Sequence, residues 1–202
     1  MEPLIVATRN EHKLRELREA LPGVELEALP AEVEQPPEEG DNFAANALIK
    51  ARAAGAATGR PAIADDSGIE AVALGGRPGV RSARFAGEGA GDEENLAKLL
   101  AELEGSADRR VAYVCALALV IAEGNEQVFE GRCEGMLAER PRGSGGFGYD
   151  PAFVPEDTGP DDVRTMAELS PEEKAAISHR GRAARALGEH LASGAARSAA
   201  GG

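Results

Sequence analysis

Short apolar runs alternate with amphipathic stretches along this chain, and this alternation predicts an α/β domain. The apolar run LIVAT (4–8) predicts a buried strand, and the stretch from Glu11 predicts a helix that ends near Pro22-Gly23. The acidic, proline-rich segment 24–40 predicts a strand that runs into an exposed loop. The alanine-rich stretch 43–57 predicts a second helix.

The second half of the chain continues the pattern. Leucines recur at helical spacing over residues 93–103, and the apolar run 111–122 predicts a central strand that forms a hairpin with residues 126–133. The tetrapeptide SPEE (170–173) supplies an N-cap serine, a proline and a capping-box glutamate, which together predict a helix start. The low-complexity stretch 193–202 predicts a disordered tail.

Length and charge limit the classes of function. With 202 residues, 43% of them hydrophobic, the chain suffices for one large domain or two lobes, which we assign to residues 1–192. The net charge of −13 disfavours binding to nucleic acid or to an anionic membrane. Any phosphate ligand must therefore be met by local basic groups.

The cysteines and the N-terminus indicate a cytoplasmic protein. Cys115 and Cys133 lie in or near apolar runs without CxxC spacing, which favours two buried thiols in a reducing compartment over a disulfide or a zinc site. The N-terminal segment has no secretory signal pattern, and its apolar run is too short to span a bilayer.

Two adjacent carboxylates, Asp65 and Asp66, follow the apolar run 62–64. Neighbouring like charges lower stability unless a cation or a raised pKa relieves the repulsion. The carboxyl end of a strand is also where open α/β sheets place ligands. Together with Glu38 and Glu39 the pair offers hard oxygen ligands suited to Mg²⁺, although a solvated acidic loop is the alternative for the two glutamates.

The sequence TRNEHK (8–13) lies where a strand gives way to a helix. Unsatisfied backbone N–H groups and the positive end of the helix dipole make such a junction an anion site, to which Lys13 adds a full charge. Thr8 and Asn10 offer further hydrogen bonds. The alternative is an ordinary helix N-cap with Lys13 in solvent.

The glycine-rich stretch 143–153 contains the spacing G-x-G-x-x-G, but Pro151 follows where a dinucleotide-binding helix would start. We therefore favour a loop that presents Phe147 and Tyr149 to a planar base, with Asp150 as a polar partner. A glycine turn with buried aromatic side chains is the alternative.

The predicted C-terminal helix contains KAAISHRGR (174–182). His179 and Arg180 are donors suited to a base carbonyl or a phosphate, with Lys174 nearby. On an ideal helical wheel Arg180 falls towards the apolar side, so either it points into a cleft or the helix is interrupted near Gly181. A solvated basic face is the alternative.

Five motifs, taken in chain order, carry a resemblance that none of them carries alone. They are TRNEHK (8–13), EEG with NFAANALIKARA (38–53), IADDSGI with LGGRPGVRSARFAG (63–87), GGFGYDPAF (145–153) and ELSPEEKAAISHRGRA (168–183). In this order they resemble the inosine triphosphate pyrophosphatase family, over residues 4–192.

The resemblance implies an elongated α/β fold in which a mixed sheet with flanking helices forms two lobes around a central substrate cleft. It implies a homodimer and Mg²⁺-dependent hydrolysis of ITP, dITP and XTP to the monophosphate and pyrophosphate. A base with a 6-carbonyl would accept hydrogen bonds from donors such as His179 and Arg180, whereas a 6-amino group would face them donor to donor.

The resemblance also implies roles for individual residues. Asp66 is the expected catalytic carboxylate and metal ligand, Asp65 and Glu38 are the further metal candidates, and Glu39 is the reserve for Glu38. The expected substrate contacts are Thr8, Arg9, Asn10, Glu11, His12, Lys13, Lys50, Ser67, Phe147, Gly148, Tyr149, Asp150, Lys174, His179 and Arg180. Arg9 departs from the family, which often has glycine there.

Three other readings remain open at this point. The chain could be a nucleotide pyrophosphatase with a different base preference, or a nucleotide-binding module that senses without hydrolysing. The third is a dinucleotide oxidoreductase that uses residues 143–148.

Overall fold

The computed structural model of the chain describes residues 2–122 and 124–200. The helices in this part are α1 (Glu11–Ala20), α2 (Phe43–Thr58), α3 (Asp92–Glu102), α4 (Pro171–Ile177) and α5 (His179–Ala200). The strands are β1 (Leu4–Val6), β2 (Leu26–Ala28), β3 (Ala62–Ala71), β4 (Arg110–Ala122), β5 (Asn125–Leu137) and β6 (Phe153–Pro155). Short 3₁₀ segments connect several of these elements.

The strands form one six-stranded sheet in the order β2-β1-β3-β4-β5-β6. β1 pairs in parallel with both β2 and β3, whereas β5 and β6 are antiparallel. A mixed sheet with flanking helices confirms the predicted α/β fold class. The arrangement of lobes around a cleft stays a prediction.

The chain forms two compact units, each with its own apolar core. The first unit comprises Met1–Asp66, Cys115–Gly131 and Arg180–Gly202, and the second comprises Ser67–Val114 and Arg132–His179. The boundaries fall between Asp66 and Ser67 and between His179 and Arg180, so that residues predicted to act together are divided between the units.

In the first unit, the apolar face of α1 explains why this helix packs where it does. Leu14 and Leu17 recur at helical spacing, are buried, and join a core cluster with Leu4 and Val6 of β1 and Ile63 of β3. α1 therefore lies against the strands whose ends carry the polar motifs. In the second unit, a separate cluster gathers around Phe153 and Leu99.

β3 is longer than the apolar run 62–64 predicts, because the strand continues through both aspartates to Ala71. Its parallel pairing with β1 ends at Val6 opposite Ile63, so the aspartates follow the last paired position rather than the end of the strand. Gly68 is required because a Cβ atom there would lie 2.6 Å from the Gly79 carbonyl oxygen.

The C-terminal helical region consists of two helices rather than one. Ser170 caps α4 as predicted, accepting a hydrogen bond from the Glu173 N–H, and the helix ends at an extended Ser178, close to the interruption near Gly181 that was one of the two alternatives. α5 then runs to Ala200, across most of the stretch predicted to be disordered, because alanine-rich sequence has high helix propensity. Gly201 and Gly202 lie outside the described residues.

The remaining sequence-based expectations concern the hairpin, the thiols and the membrane. β4 and β5 are neighbours in the sheet, as the hairpin prediction requires, although Glu123 lies outside the described residues. Cys115 and Cys133 are buried free thiols, which confirms that prediction. Within residues 2–122 and 124–200, no helix combines the length and the hydropathy needed to cross a bilayer.

Candidate active site

Asp65 lies in the first unit with its carboxylate fully buried among cationic donors. Lys13 of α1 donates to Oδ1, while the Arg180 Nε of α5 donates to Oδ2 over 3.0 Å. The Cys115 thiol of β4 also donates to Oδ2, over 3.0 Å. Two cations and a thiol thus surround one carboxylate.

Asp66, the next residue, has a different set of partners. Lys50 Nζ of α2 donates to its Oδ1 over 2.8 Å, and Asn46 Nδ2 of the same helix donates to Oδ2 over 3.2 Å. Lys50 also donates to Glu38 Oε1 over 2.9 Å. The ammonium group therefore links Asp66 to a second carboxylate.

The pleat of β3 explains this separation. Successive side chains of a strand point to opposite faces, so Asp65 meets α1 and α5 while Asp66 meets α2. The repulsion expected between adjacent carboxylates is relieved by separate cations on the two faces.

The two environments shift the pKa values in opposite directions. Burial alone would raise the pKa of Asp65, but the charges of Arg180 and Lys13 hold it well below its usual range. Burial raises the pKa of Asp66, and the nearby Lys50 ammonium reduces this shift without cancelling it. Asp65 is therefore a fixed anion, and Asp66 is the better proton acceptor.

Two of the three acidic side chains predicted to bind magnesium lie together. The carboxylates of Glu38 and Asp66 both contact the Lys50 ammonium, and their oxygen atoms are ligands typical of Mg²⁺. Asp65 does not share this arrangement, since its carboxylate contacts Lys13 and Arg180 rather than Lys50. Among the described residues no cluster of three or more His, Cys, Asp or Glu side chains is placed to hold a metal. Glu39, the reserve candidate, is exposed.

The start of α1 has the geometry of an N-capped helix. Asn10 Oδ1 accepts hydrogen bonds from the backbone N–H groups of His12 and Lys13 over 2.9 and 3.2 Å. Thr8 Oγ1 accepts from the Asn10 N–H over 3.1 Å. Asn10 is thus an ordinary helix N-cap, as one of the two alternatives predicted. The Lys13 side chain, however, contacts Asp65 and is only 18% exposed, so it does not extend freely into solvent.

Other members of the motif TRNEHK have local roles. Arg9 Nη2 donates to the backbone carbonyls of Ala31 and Val33, over 3.0 and 2.7 Å, so its charge holds the following loop. His12 lies 3.1 Å from Arg15 Nη2 through its Nδ1. Glu11 is exposed in the first turn of α1. A substrate contact by Arg9, Glu11 or His12 stays a prediction.

In the second unit, the glycine-rich motif forms a cluster around buried Asp150. Its Oδ2 accepts from the Phe147 N–H over 2.8 Å and from Lys174 Nζ over 2.6 Å, and its Oδ1 accepts from the Tyr113 hydroxyl over 3.1 Å. Gly146 permits this approach because a Cβ atom there would collide with Asp150 Oδ2.

The two aromatic residues of that motif differ in exposure, so one fits the loop that presents a ring to a base and the other fits the turn with buried aromatic side chains. Phe147 is half-buried, with Lys174 Nζ 5.0 Å from the centre of its ring. Tyr149 is buried, and its hydroxyl donates to the Ser82 carbonyl over 2.8 Å. Phe147 is therefore the accessible aromatic face, whereas Tyr149 packs in the core. The Gly148 N–H donates to Asp92 Oδ2 over 2.7 Å.

His179 and Arg180 are adjacent in the chain but have different surroundings. His179 is buried, with its ring stacked on Tyr113 at 4.5 Å between centroids. The Arg180 guanidinium, 3% exposed, donates to Asp65 and, over 2.5 Å, to Glu16 Oε2 of α1. A base contact by His179 or Arg180 stays a prediction. Ser67, the first residue of the second unit, is half-buried.

A family model described as the Ham1 family matches residues 4–190. This chain belongs to the Ham1 family. The match spans every motif that carries the resemblance, and the resemblance is confirmed.

Curated relatives of this Ham1-family chain extend over nearly its whole length. A protein of Mycolicibacterium paratuberculosis named dITP/XTP pyrophosphatase is 52% identical, with 93% of this chain and 94% of the relative covered. A protein of the same name from Symbiobacterium thermophilum is 51% identical, with 89% and 90% covered.

Solved Ham1 structures share the fold. A HAM1 protein from Coxiella burnetii is 42% identical with a TM-score of 0.86, and the match covers 96% of this chain and 100% of that one. The Staphylococcus aureus Ham1 protein is 36% identical with a TM-score of 0.85, and the match covers 95% and 99%.

Three residues that contact the predicted motifs of this Ham1-family chain were not predicted from the sequence, two in the first unit and one in the second. Asn46 lies one turn before Lys50 on α2, and this i, i+4 spacing was a signal that both side chains share a face. Glu16 lies one turn after Lys13 on α1, but nothing local indicates its partner Arg180. Tyr113 sits inside an apolar run that predicts only a core strand.

Proposed function

We propose that this Ham1-family protein is a nucleoside triphosphate diphosphatase that hydrolyses the non-canonical purine nucleotides dITP, XTP and ITP to monophosphate and pyrophosphate, with Mg²⁺ as cofactor. Curated relatives named dITP/XTP pyrophosphatase, about half identical over most of the chain, support the activity. One structural observation carries the chemistry. The first unit holds both a lysine at a helix start and two carboxylates that converge on one cation.

Glu38 and Asp66 are the proposed magnesium ligands. They are hard oxygen donors, and two protein carboxylates are what Mg²⁺ usually takes, because water and substrate phosphates fill its other positions. When bound, the ion supplies charge neutralisation at the phosphates and lowers the pKa of coordinated water. The Lys50 ammonium contacts both carboxylates and so holds them close to one another.

The start of α1 is the proposed phosphate site. A triphosphate carries several negative charges that repel an attacking water molecule. The Lys13 ammonium and the positive end of the α1 dipole offset these charges, in the position where helix dipoles favour anions. The Lys13 side chain remains partly exposed while bound to Asp65, so a phosphate can still approach it.

Asp66 is the proposed proton acceptor for the water that attacks the α-phosphorus. Lys50 and Asn46 each donate to this carboxylate, which fixes its orientation for accepting a proton. Pyrophosphate leaves as the new P–O bond forms. General-base assistance of this kind contributes about 10²–10⁴-fold, with charge stabilisation and positioning supplying the rest.

The second unit supplies the proposed base contacts. The half-buried Phe147 ring offers a stacking face, and Lys174, held by Asp150, offers a donor beside it. A donor set opposite the 6-position of the purine accepts a carbonyl and rejects an amino group, because the latter leaves polar groups unpaired. This reasoning supports ITP, dITP and XTP over ATP.

The activity is tested by pyrophosphate release from dITP, XTP, ATP and dUTP in parallel, with Mg²⁺ and with excess chelator. We expect rapid, metal-dependent release from dITP and XTP and little from ATP or dUTP. Equal release from ATP or dUTP would indicate a pyrophosphatase of different base preference. Tight dITP binding without release, unchanged by Asp66→Asn, would indicate a non-catalytic nucleotide-binding module.

Dimerisation and location are part of the same proposal. We expect a homodimer in the cytoplasm, where nucleotide pools are kept and where buried free thiols such as Cys115 and Cys133 persist. Sedimentation equilibrium should give a mass near twice the 20.9 kDa of the chain. A mass equal to that of one chain at micromolar concentration would contradict the dimer.

A further inference from the structure

Four charged side chains of the first unit form an alternating series. Lys13 contacts Asp65, Asp65 contacts Arg180, and Arg180 contacts Glu16. Lys13 and Glu16 both belong to α1, three residues apart, so the series starts and ends on one helix. It passes through β3 at Asp65 and through the first turn of α5 at Arg180. We call these four side chains the charge loop.

Burial is uneven within the charge loop. The side chains of Asp65 and Arg180 are 0% and 3% exposed, whereas those of Lys13 and Glu16 are each 18% exposed. The Asp65–Arg180 pair is thus the buried centre of the charge loop, and Lys13 and Glu16 are its two partly exposed members. The guanidinium of Arg180 is planar and donates from two different nitrogen atoms to two carboxylates, which fixes their relative positions.

This arrangement orders the Lys13 side chain before any ligand arrives. A lysine side chain loses substantial rotamer freedom when it is immobilised, and a site that is already ordered binds its ligand more tightly. Asp65 orders Lys13 directly, and Arg180 orders Asp65. Glu16 is the second anchor of Arg180 and lies on the same helix as Lys13.

We propose that Glu16 and Arg180 are positioning residues for polyphosphate binding, acting through Asp65 on Lys13. The inference rests on the proposed function only in taking Lys13 as a phosphate contact. It deepens that function by giving Arg180 a role on the phosphate side of the chemistry. Neither residue needs to touch the substrate for this role.

The direction in which Glu16→Gln changes anion affinity distinguishes a positioning role from a simple charge effect. Glu16→Gln removes a negative charge near an anion site, which by itself would strengthen anion binding. Loss of positioning would weaken it. Glu19→Gln is the matched control, because Glu19 is an exposed glutamate on the same helix and its removal changes the net charge equally.

The experiment is a double-mutant cycle with inorganic tripolyphosphate as the probe, measured by titration calorimetry with chelator present. The variants are Glu16→Gln, Lys13→Ala and the two combined. We expect Glu16→Gln to weaken binding about five- to tenfold, and to have less than about a twofold effect once Lys13 is alanine. Glu19→Gln should bind within about twofold of the unmodified protein.

A purely structural role is tested with two further readouts. Circular dichroism and thermal unfolding report whether Glu16→Gln is folded at the titration temperature. Arg180→Lys keeps the charge but loses the planar fork, so it should weaken tripolyphosphate binding as Glu16→Gln does. If both variants bind like the unmodified protein, or if the effects of Glu16→Gln and Lys13→Ala are additive, the inference is wrong.

Failure of the inference and failure of the proposed function give different results. Strong coupling between Glu16 and Lys13 without pyrophosphate release from dITP would support the charge loop and contradict the enzyme activity. Additive effects with normal release would contradict only the charge loop. An unmodified protein that binds no tripolyphosphate would overturn the inference directly.

Discussion

Asp65 and Asp66 are neighbours in the chain and both are buried, yet they have different partners and their pKa values shift in opposite directions. Asp65 is surrounded by Lys13, Arg180 and a thiol, and its pKa is held well below the usual range by those cations against the effect of burial. Asp66 shares one ammonium with a second carboxylate, and burial raises its pKa. The same residue type thus serves two purposes, because the pleat of β3 directs successive side chains to different helices.

The difference indicates a positioning role for Asp65 and a chemical role for Asp66. A carboxylate already matched by two cations is a poor proton acceptor and has little need of a metal ion, but it fixes the cations that surround it. A carboxylate that lies beside a second carboxylate, as Asp66 lies beside Glu38, suits a divalent cation and is a candidate proton acceptor. Four predictions test this division.

The largest effect is expected at Asp66. Asp66→Asn removes the proton acceptor and one proposed metal ligand, so kcat for dITP should fall by at least about 10²–10⁴-fold. Far-ultraviolet circular dichroism should be unchanged, because the amide keeps the volume of the carboxylate. Pyrophosphate release under saturating substrate is the measurement, and a variant with near-normal kcat would show that another group accepts the proton.

Asp65→Asn is expected to act mainly on stability. It leaves the buried Arg180 guanidinium without one of its two carboxylates and removes the anchor of Lys13. Loss of one partner of a buried ion pair costs about 3–5 kcal/mol, so the free energy of unfolding in urea should fall by about 3 kcal/mol. KM for dITP should rise more than kcat falls. A stable variant with lost kcat would reverse the roles of the two aspartates.

Substitution of Glu38, with Glu39 as the matched control, tests which glutamate binds Mg²⁺ together with Asp66. Glu38 contacts Lys50 beside Asp66, whereas Glu39 is exposed. Glu38→Gln should raise the Mg²⁺ concentration needed for half-maximal activity by about tenfold, because it removes one of two charged ligands. Glu39→Gln should leave that concentration unchanged. A raised Mg²⁺ requirement in Glu39→Gln but not in Glu38→Gln would show that Glu39 is the metal ligand.

The smallest effect is expected at Cys115, on the Asp65 side. Burial raises the pKa of this thiol well above its usual value, so at neutral pH it is protonated and donates to Asp65. Cys115→Ala removes one neutral donor and should lower the free energy of unfolding by about 1 kcal/mol. The kcat for dITP should not change, which a single-turnover assay would check. A large loss of kcat would show that the Asp65 side also takes part in the chemistry.

The sequence allowed the fold class and the motif positions to be predicted because both depend on local patterns. Apolar periodicity located α1, alanine content located α2, and the serine, proline and glutamate of SPEE located the start of α4. The end of α4 was harder, since nothing in the residues around Ser178 forbids helix. At the C-terminus low complexity and high helix propensity coincide, and α5 extends to Ala200 through most of the stretch predicted to be disordered.

The site was predictable as a set of residues but not as a set of contacts. The choice of Glu38 is supported by its contact with Lys50, which lies twelve positions away in the chain. Arg180 and Asp65 are separated by 115 positions, and no periodicity relates them. Their pairing depends on how α5 packs against β3 within the first unit, which only the folded chain determines.

The most direct test of the division between the two aspartates is Mn²⁺ binding, followed by electron paramagnetic resonance in the presence of pyrophosphate. Mn²⁺ prefers the same oxygen ligands as Mg²⁺. Asp65→Asn and Asp66→Asn would be compared with the unmodified protein under conditions where both are folded. We expect Asp66→Asn to lose the bound-ion signal and Asp65→Asn to keep it. Retention by Asp66→Asn with loss by Asp65→Asn would contradict the account.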